Sequence, residues 1–369
     1  MNILILNWRD IKNPKSGGAE ILTHELARRL VRDGHSVTQF SALFENAKKE
    51  EIVDGVRFIR NGVPDVRRFF SSVHFKAFLY YRKNNSQFDL IIDEVHGIPF
   101  FTPLYSRRKK LALICEVAGN IWDISFKFPF NIIGKTIERI YHIFYQNVRI
   151  VTISDSSKKD LSKIGFKKEQ IDVLTLGCDV PIIKKLPKKN EECTLIFVSR
   201  ITKSKGIEDA VKSISEIKKI IPNIKLLILG RGEERYVEKI KMMIHDMGLE
   251  KNIMMLGFVS EQEKRNYLEK SHILIVPSRK EGWGLTIHEA GSRGTPAIGY
   301  NVEGLRDVIV DNVNGIICKN NSHADIAKNA LLLFSNEKLY RKLQMGAISE
   351  RKKYTWDRTY REFLEVLGS

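Results

Sequence analysis

Two doubly wound α/β domains in tandem are what this sequence predicts, and three observations predict them. Short apolar runs that read as strands alternate with segments of helical hydrophobic spacing along nearly the whole chain. The alternation pauses once, in a stretch rich in proline and lysine, and then begins again with a new apolar run. The length, 369 residues, suits two ordinary domains. Strands alternating with helices give parallel sheets with helices on both faces, so each half is expected to be Rossmann-like.

The first expected strand covers residues 2–7. A polar loop over 8–16 follows, and Gly17-Gly18-Ala19-Glu20 opens a helix that ends near Gly34, with Ile21, Leu22, Leu26, Leu30 and Val31 at helical spacing. Strands are expected at 36–42 and 56–60, a helix over 71–83, and strands at 89–95 and 111–117. A Phe-rich loop then leads to a helix over 131–146. The strand 149–154 ends at Ser154-Asp155, which can cap a helix through Lys163. Residues 181–192 are the expected linker, because proline resists regular elements and lysine stays hydrated. The second half starts with a strand at 194–199, and further strands are expected at 225–229, 253–256, 273–276 and 297–300. This places the domains at 1–180 and 193–350, with a terminal helix in 351–369. Ligands of open parallel sheets sit at the carboxyl ends of the strands, so the site is expected in a cleft between the domains.

Composition narrows the partners. Lys and Arg total 61 against 44 Asp and Glu, a formal charge of +17. That balance favours phosphorylated ligands, nucleic acid or an acidic membrane surface; lysines spread this evenly also read as a solvated face. Cys115, Cys178, Cys193 and Cys318 are far apart and form no C-x-x-C pair, so they read as reduced, mostly buried thiols. The first residues look like a buried strand rather than a signal peptide. No apolar run approaches the ~20 residues of a membrane span. A cytoplasmic protein that touches a membrane at most from one side is expected.

The stretch from Val276 to Ala290 runs from a strand through a glycine-bearing loop into a helix. Amides at a helix start, with the helix dipole, favour an anion there. Glu281 and Glu289 bracket the loop, and carboxylates beside bound phosphates are better suited to accepting hydrogen bonds from hydroxyls. A diphosphate with hydroxyls beside it points to a sugar nucleotide. Arg200-Ile201-Thr202-Lys203-Ser204-Lys205-Gly206 follows the first strand of the second half and supplies cations to match. Gly230-Arg231-Gly232-Glu233-Glu234 fails as a dinucleotide fingerprint, because Arg235 stands at the third glycine position. Phe258 and Val259 follow a strand where a flat base could lie, although core packing accounts for them equally. His96 closes a strand of the first half, and Asp93 and Glu94 precede it, one of them expected at the cleft or an edge. Gly17-Gly18 starts a helix and reads either as a second phosphate contact or as a tight turn.

These motifs together resemble glycosyltransferase family 4, the retaining enzymes of the GT-B fold. The residues that carry the resemblance are Ser16-Gly17-Gly18-Ala19-Glu20, Ser199-Arg200 with Lys205-Gly206, Leu256-Gly257-Phe258-Val259, and Glu281-Gly282-Trp283-Gly284-Leu285 with Glu289, the E-x7-E element. The resemblance covers both halves and implies that the terminal helix after Tyr354-Thr355-Trp356 crosses back to the first domain. It implies that Arg200 and Lys205 hold the donor diphosphate, that Glu281 binds the transferred sugar, and that Glu289 binds ribose hydroxyls. The backbone of Gly282, Trp283, Gly284 and Leu285 would contact sugar and phosphate. Gly17 and Gly18 would contact phosphate from the first domain, and His96 the donor sugar. Phe258 and Val259 would flank the base. No cofactor and no metal are implied beyond the nucleoside-diphosphate sugar as co-substrate; the sequence has no Asp-x-Asp donor motif. Three departures stand out: Leu176-Gly177-Cys178-Asp179 at the hinge, Glu303-Gly304 in place of a Gly-Gly pair, and Cys115 where some relatives carry His.

The acceptor side is less marked. Val66-Arg67-Arg68-Phe69-Phe70 through Lys83, Ser106-Arg107-Arg108-Lys109-Lys110 and Phe126-Lys127-Phe128-Pro129-Phe130 mix basic and aromatic residues. They read as a face for an anionic bilayer and a lipid-linked acceptor, or as ordinary helices with solvated lysines. The expected function is transfer of a hexose-type sugar to a glycan or lipid-linked acceptor in polysaccharide, glycolipid or glycan assembly. The alternative is a non-catalytic GT-B partner subunit that binds sugar nucleotide or glycan. No nucleic-acid reading element is recognisable.

Overall fold

The computed structural model describes residues 1–368. The chain divides into two compact units, Met1–Leu176 joined by the segment from Trp356 onward, and Gly177–Thr355. In the first unit, β1 (Asn2–Leu6), β2 (Ser36–Ser41), β3 (Glu50–Val53), β4 (Val56–Arg60), β5 (Leu90–Glu94), β6 (Lys109–Leu113), β7 (Arg149–Thr152) and β8 (Ile171–Val173) form one sheet. Its order is β3-β4-β2-β1-β5-β6-β7-β8. Neighbours pair in parallel except β3 with β4. The apolar run Ile3-Leu4-Ile5-Leu6 is buried throughout, as a central strand covered on both faces must be. The chain builds outward from β1 on one side and then returns to lay β5 on the other, so the order reverses between β1 and β5. The helices are α1 (Gly18–Arg32), α2 (Val73–Asn84), α3 (Ile121–Ser125), α4 (Phe130–Ile140) and α5 (Asp155–Lys163). The single helix expected over 131–146 is α4 followed by the 3-10 turn Tyr141–Tyr145.

The second unit repeats the plan. Its strands β9 (Thr194–Val198), β10 (Lys225–Leu229), β11 (Ile253–Gly257), β12 (Ile273–Val276), β13 (Ala297–Gly299) and β14 (Gly315–Ile317) are all parallel, in the order β11-β10-β9-β12-β13-β14. Here the reversal lies between β9 and β12. The helices are α6 (Ile207–Lys218), α7 (Glu234–Asp246), α8 (Glu261–Lys270), α9 (Leu285–Gly291), α10 (Leu305–Val308), α11 (His323–Ser335) and α12 (Glu337–Arg351). The stretch read as a linker is stitched onto this unit. The Ile183 amide donates to the Ser292 carbonyl at 3.0 Å. Lys189 Nζ donates to the Glu269 carbonyl at 3.0 Å and to Thr295 Oγ1 at 2.8 Å. Burial pulls that ammonium down to about 7.

The last helix, α13 (Trp356–Gly368), belongs to the first unit. Tyr360 donates its hydroxyl to Asp33 at 2.7 Å, and Glu362 accepts the Thr175 amide at 2.7 Å. Where the chain enters and leaves the second unit, one buried guanidinium gathers both passages. Arg351 donates to the carbonyls of Cys178 and Val180 on the way in, the latter at 3.3 Å, and to that of Tyr354 on the way out at 2.5 Å.

Candidate functional site

In an open parallel sheet the crevice lies beyond the carboxyl ends of the strands where the order reverses. In the second unit those ends lead into the loop after β9, with Arg200 and Lys205, and the loop after β12, with Glu281 and Gly282. The two loops are locked together. Gly206, at φ +74, lies so close to the Pro277 carbonyl that a Cβ would sit 2.0 Å from it, and the Arg279 amide donates to the Ser204 carbonyl at 2.9 Å. Lys205 Nζ thereby reaches both oxygens of Glu281, at 2.8 and 2.7 Å. The pair is largely but not wholly covered, with side chains 15% and 17% exposed. Arg200 is exposed and has no ion-pair partner among the described residues. The loop after β9 thus carries both cations, one of them already fixed by a carboxylate.

Gly304 supports the Glu281 backbone from below. It has φ +82, and a Cβ there would lie 2.0 Å from the Glu281 carbonyl oxygen. Gly304→Ala combines left-handed strain with that overlap. It is expected to cost about 1–3 kcal/mol, read as a fall in unfolding temperature by calorimetry; an unchanged transition would show that the loop shifts freely.

Glu289 lies in α9 and meets α8. Its Oε1 is held by Lys264 of α8 at 2.9 Å, while its buried Oε2 has no hydrogen-bond partner. Burial pushes the Glu289 carboxyl up, and Lys264 partly offsets this. A buried carboxylate oxygen left without a donor is costly unless something supplies one. Phe258 is exposed after β11, with the Arg231 guanidinium 4.3 Å above its ring centroid, and Val259 beside it is half-buried. Trp283 is buried, its ring 5.8 Å from those of His288 and Tyr354. Its side chain thus serves packing. Gly284, at φ +92, makes the turn into Leu285 and α9.

In the first unit the reversal brings together the ends of β1 and β5. His96 Nε2 lies 2.9 Å from Glu94 Oε1, and the ring stacks on Trp8 with centroids 5.3 Å apart. The other oxygen of Glu94 accepts from Asn7 Nδ2 at 2.5 Å and from the Thr23 hydroxyl. Burial alone would lower the His96 pKa, but the hydrogen bond and charge of Glu94 outweigh it and raise the group. Burial pushes Glu94 up. The expectation that Asp93 or Glu94 meets a cleft or an edge is not met, since both are buried. Asp93 accepts from the Phe100 amide at 3.1 Å and from Thr102 Oγ1 at 2.8 Å, and so fixes the following loop. Gly17 precedes α1 and its amide donates to Glu20 at 2.7 Å, while Gly18 is exposed.

The sequence reading missed Lys264 under Glu289, Glu94 as the holder of His96, and Arg231 over Phe258. Lys264 and Arg231 are separated in sequence from what they touch and are ordinary exposed-looking cations. Glu94 carried a signal, a carboxylate inside an apolar strand. Among the described residues no cluster of three or more His, Cys, Asp or Glu could hold a metal ion.

Comparison with known proteins decides the family. The model of glycosyltransferase family 4 matches residues 16–180, and that of glycosyl transferases group 1 matches residues 181–349. The chain belongs to this glycosyltransferase family. The chain is 23% identical to an uncharacterized glycosyltransferase of Methanocaldococcus jannaschii, over 99% of this chain and 97% of that one. Sucrose-phosphate synthase from Thermosynechococcus elongatus has the same fold, with a TM-score of 0.83 at 16% identity over 99% and 98% of the two chains. Anabaena HepE, solved in complex with UDP and glucose, superposes with a TM-score of 0.78 at 16% identity over 100% and 99%. The chain is thus a two-unit α/β protein of GT-B class.

Proposed function

We propose that the chain is a retaining, metal-independent hexosyltransferase that uses a nucleoside-diphosphate sugar and a glycan or lipid-linked acceptor. The observation that carries this reading is the Lys205–Glu281 pair, its lysine on a loop that also bears the exposed Arg200, at the reversal of the second sheet. Arg200 and Lys205 neutralise the diphosphate, so its departure needs no other cation. Glu281 orients Lys205 and accepts a hydroxyl of the transferred sugar. Glu289 offers its unpartnered Oε2 to ribose hydroxyls, and Phe258 under Arg231 offers a stacking face for the base. In the first unit, His96 is the hydrogen-bond partner of the sugar.

The bond from the anomeric carbon to the diphosphate oxygen breaks, and a bond from the acceptor oxygen forms on the same face. The acceptor proton passes to the departing phosphate oxygen, so no protein nucleophile or separate base is required. A UDP-hexose donor is favoured by the complex of HepE with UDP and glucose.

A thermal-shift panel of uridine, guanosine and adenosine diphosphate sugars tests this. One nucleotide series should raise the melting temperature, because a ligand that binds only the native state stabilises it. Product from that donor should keep the anomeric configuration by NMR. No shift, together with neither transfer nor hydrolysis of any donor, would favour a non-catalytic subunit.

A further inference from the structure

Helix α4 is built inside out. Its inward face is Gly134 and Glu138, continued by Tyr141 and Tyr145, positions four, three and four apart. Gly134 lies against Trp122, where a Cβ would fall 2.3 Å from the ring. Glu138 accepts the amides of Ala118 and Gly119 at 2.6 and 2.8 Å and the Trp122 indole at 3.1 Å. The small and charged residues thus hold the helix down. Four isoleucines of the helix and of the turn after it point the other way, Ile132 54% exposed, Ile133 48%, Ile140 45% and Ile143 54%, while Ile137 is half-buried. Phe128, 80% exposed, and Phe130 extend the strip at the helix start; Arg67 lies 5.6 Å above the Phe130 ring, and the exposed Phe69 and Phe70 follow it in the chain. An exposed apolar strip of this size is unusual on a soluble surface and marks a place of interaction.

The surrounding charge says with what. Arg67, Arg68, Lys127, Lys135 and Arg139 edge the strip, and Asp65 and Asp123 pair with Arg67 and Lys135. The edge is cationic, in keeping with the formal charge of +17. Bulky apolar side chains on one face of a short helix, rimmed by Lys and Arg, fit the interface of an anionic bilayer, where the side chains enter the acyl boundary and the cations meet the headgroups. No helix among the described residues is long and apolar enough to cross a membrane. The contact is therefore one of lying on the surface.

We infer that the outer face of α4, with Phe128, Phe69 and Phe70, docks the protein on an anionic lipid surface. This brings the acceptor proposed above within the class of lipid-linked molecules, but docking is read without donor or acceptor and so stands or falls separately. The test is co-sedimentation of the full chain with vesicles of pure phosphatidylcholine and of phosphatidylcholine containing phosphatidylglycerol, at low and high salt. Binding to the anionic vesicles should exceed binding to the neutral ones at least tenfold and weaken with salt. Ile133→Glu with Ile140→Glu should abolish it, while donor hydrolysis in solution stays unchanged, because these side chains already face water. Equal binding by wild type and this variant, or no binding by wild type, overturns the inference. So does a wild-type dimer in lipid-free solution that the variant turns into monomer, since the strip would then be covered by a second copy.

Discussion

Lys205→Ala is expected to lower the turnover number of sugar transfer roughly 10²–10³-fold, about 2.7–4 kcal/mol, with the fold retained. The magnitude follows from where the charge develops. The departing diphosphate gains negative charge as its bond to the sugar breaks, and Lys205 is held in place by both oxygens of Glu281. Removing the ammonium also leaves the Glu281 carboxylate unbalanced in the phosphate's path, which adds repulsion to the lost attraction. Glu281→Ala should cost a similar amount by a different route, freeing Lys205 to wander and removing the acceptor for the sugar hydroxyl. Neither change should unfold the protein, since the pair is not fully buried and the charge left behind can still reach water. The two residues act as a unit, so the double variant should be little worse than either single one. Near-normal turnover in either single variant, with melting temperature unchanged, would remove the pair from the site.

Glu94→Gln is the second large effect, and it works through the proton on His96. Both Asn7 and Thr23 donate to one oxygen of Glu94, while His96 Nε2 faces the other. In glutamine the carbonyl must take the position that receives two donors, so the amide NH₂ turns toward His96. Nε2 then has to accept, and the ring proton moves to Nδ1. A histidine given the wrong tautomer by a near-isosteric change loses activity on the order of 10²-fold or more, with its geometry kept. The pH profile carries a separate sign. The Glu94 charge holds the folded His96 pKa above its ordinary value. The charged pair therefore contributes stability that is present below the unfolded pKa of about 6.5 and is lost as pH rises through the folded one. In Glu94→Gln the drop in stability above about pH 6.5 should disappear. Equal turnover and an unchanged stability profile would show that His96 needs no charged neighbour.

Much of this was legible because central parallel strands and catalytic loops carry local signals. The apolar runs of β1, β5, β9 and β12 are buried on both faces and could be read directly. The edge strands β3, β8 and β14 could not. Two are only three residues long, and β3, Glu50-Glu51-Ile52-Val53, begins with two charges that an edge tolerates. The donor loops were readable because glycine and charge at a strand end have few other uses. The supports beneath them were not, because Lys264 and Glu289, or Gly304 and Glu281, meet only after the chain has folded. The reversed helix α4 shows the opposite failure. Its periodicity predicted a helix correctly, but periodicity alone assigns isoleucine to the inside, and only the anchoring of Glu138 shows which side is which.

The gathering of both chain passages by Arg351 bears on how the protein is made. The second unit is continuous in sequence and its two ends meet at one side chain, so all of it exists once Thr355 has been synthesised. The first unit begins earlier but is finished later, because α13 supplies the partners of Asp33 and of the Thr175 amide. Order of synthesis and order of completion are therefore inverted: the unit begun first is completed last. A nascent or truncated chain lacking α13 would hold a finished second unit beside a first unit with an uncovered flank. Quality control in the cell would then meet the defect in the first unit.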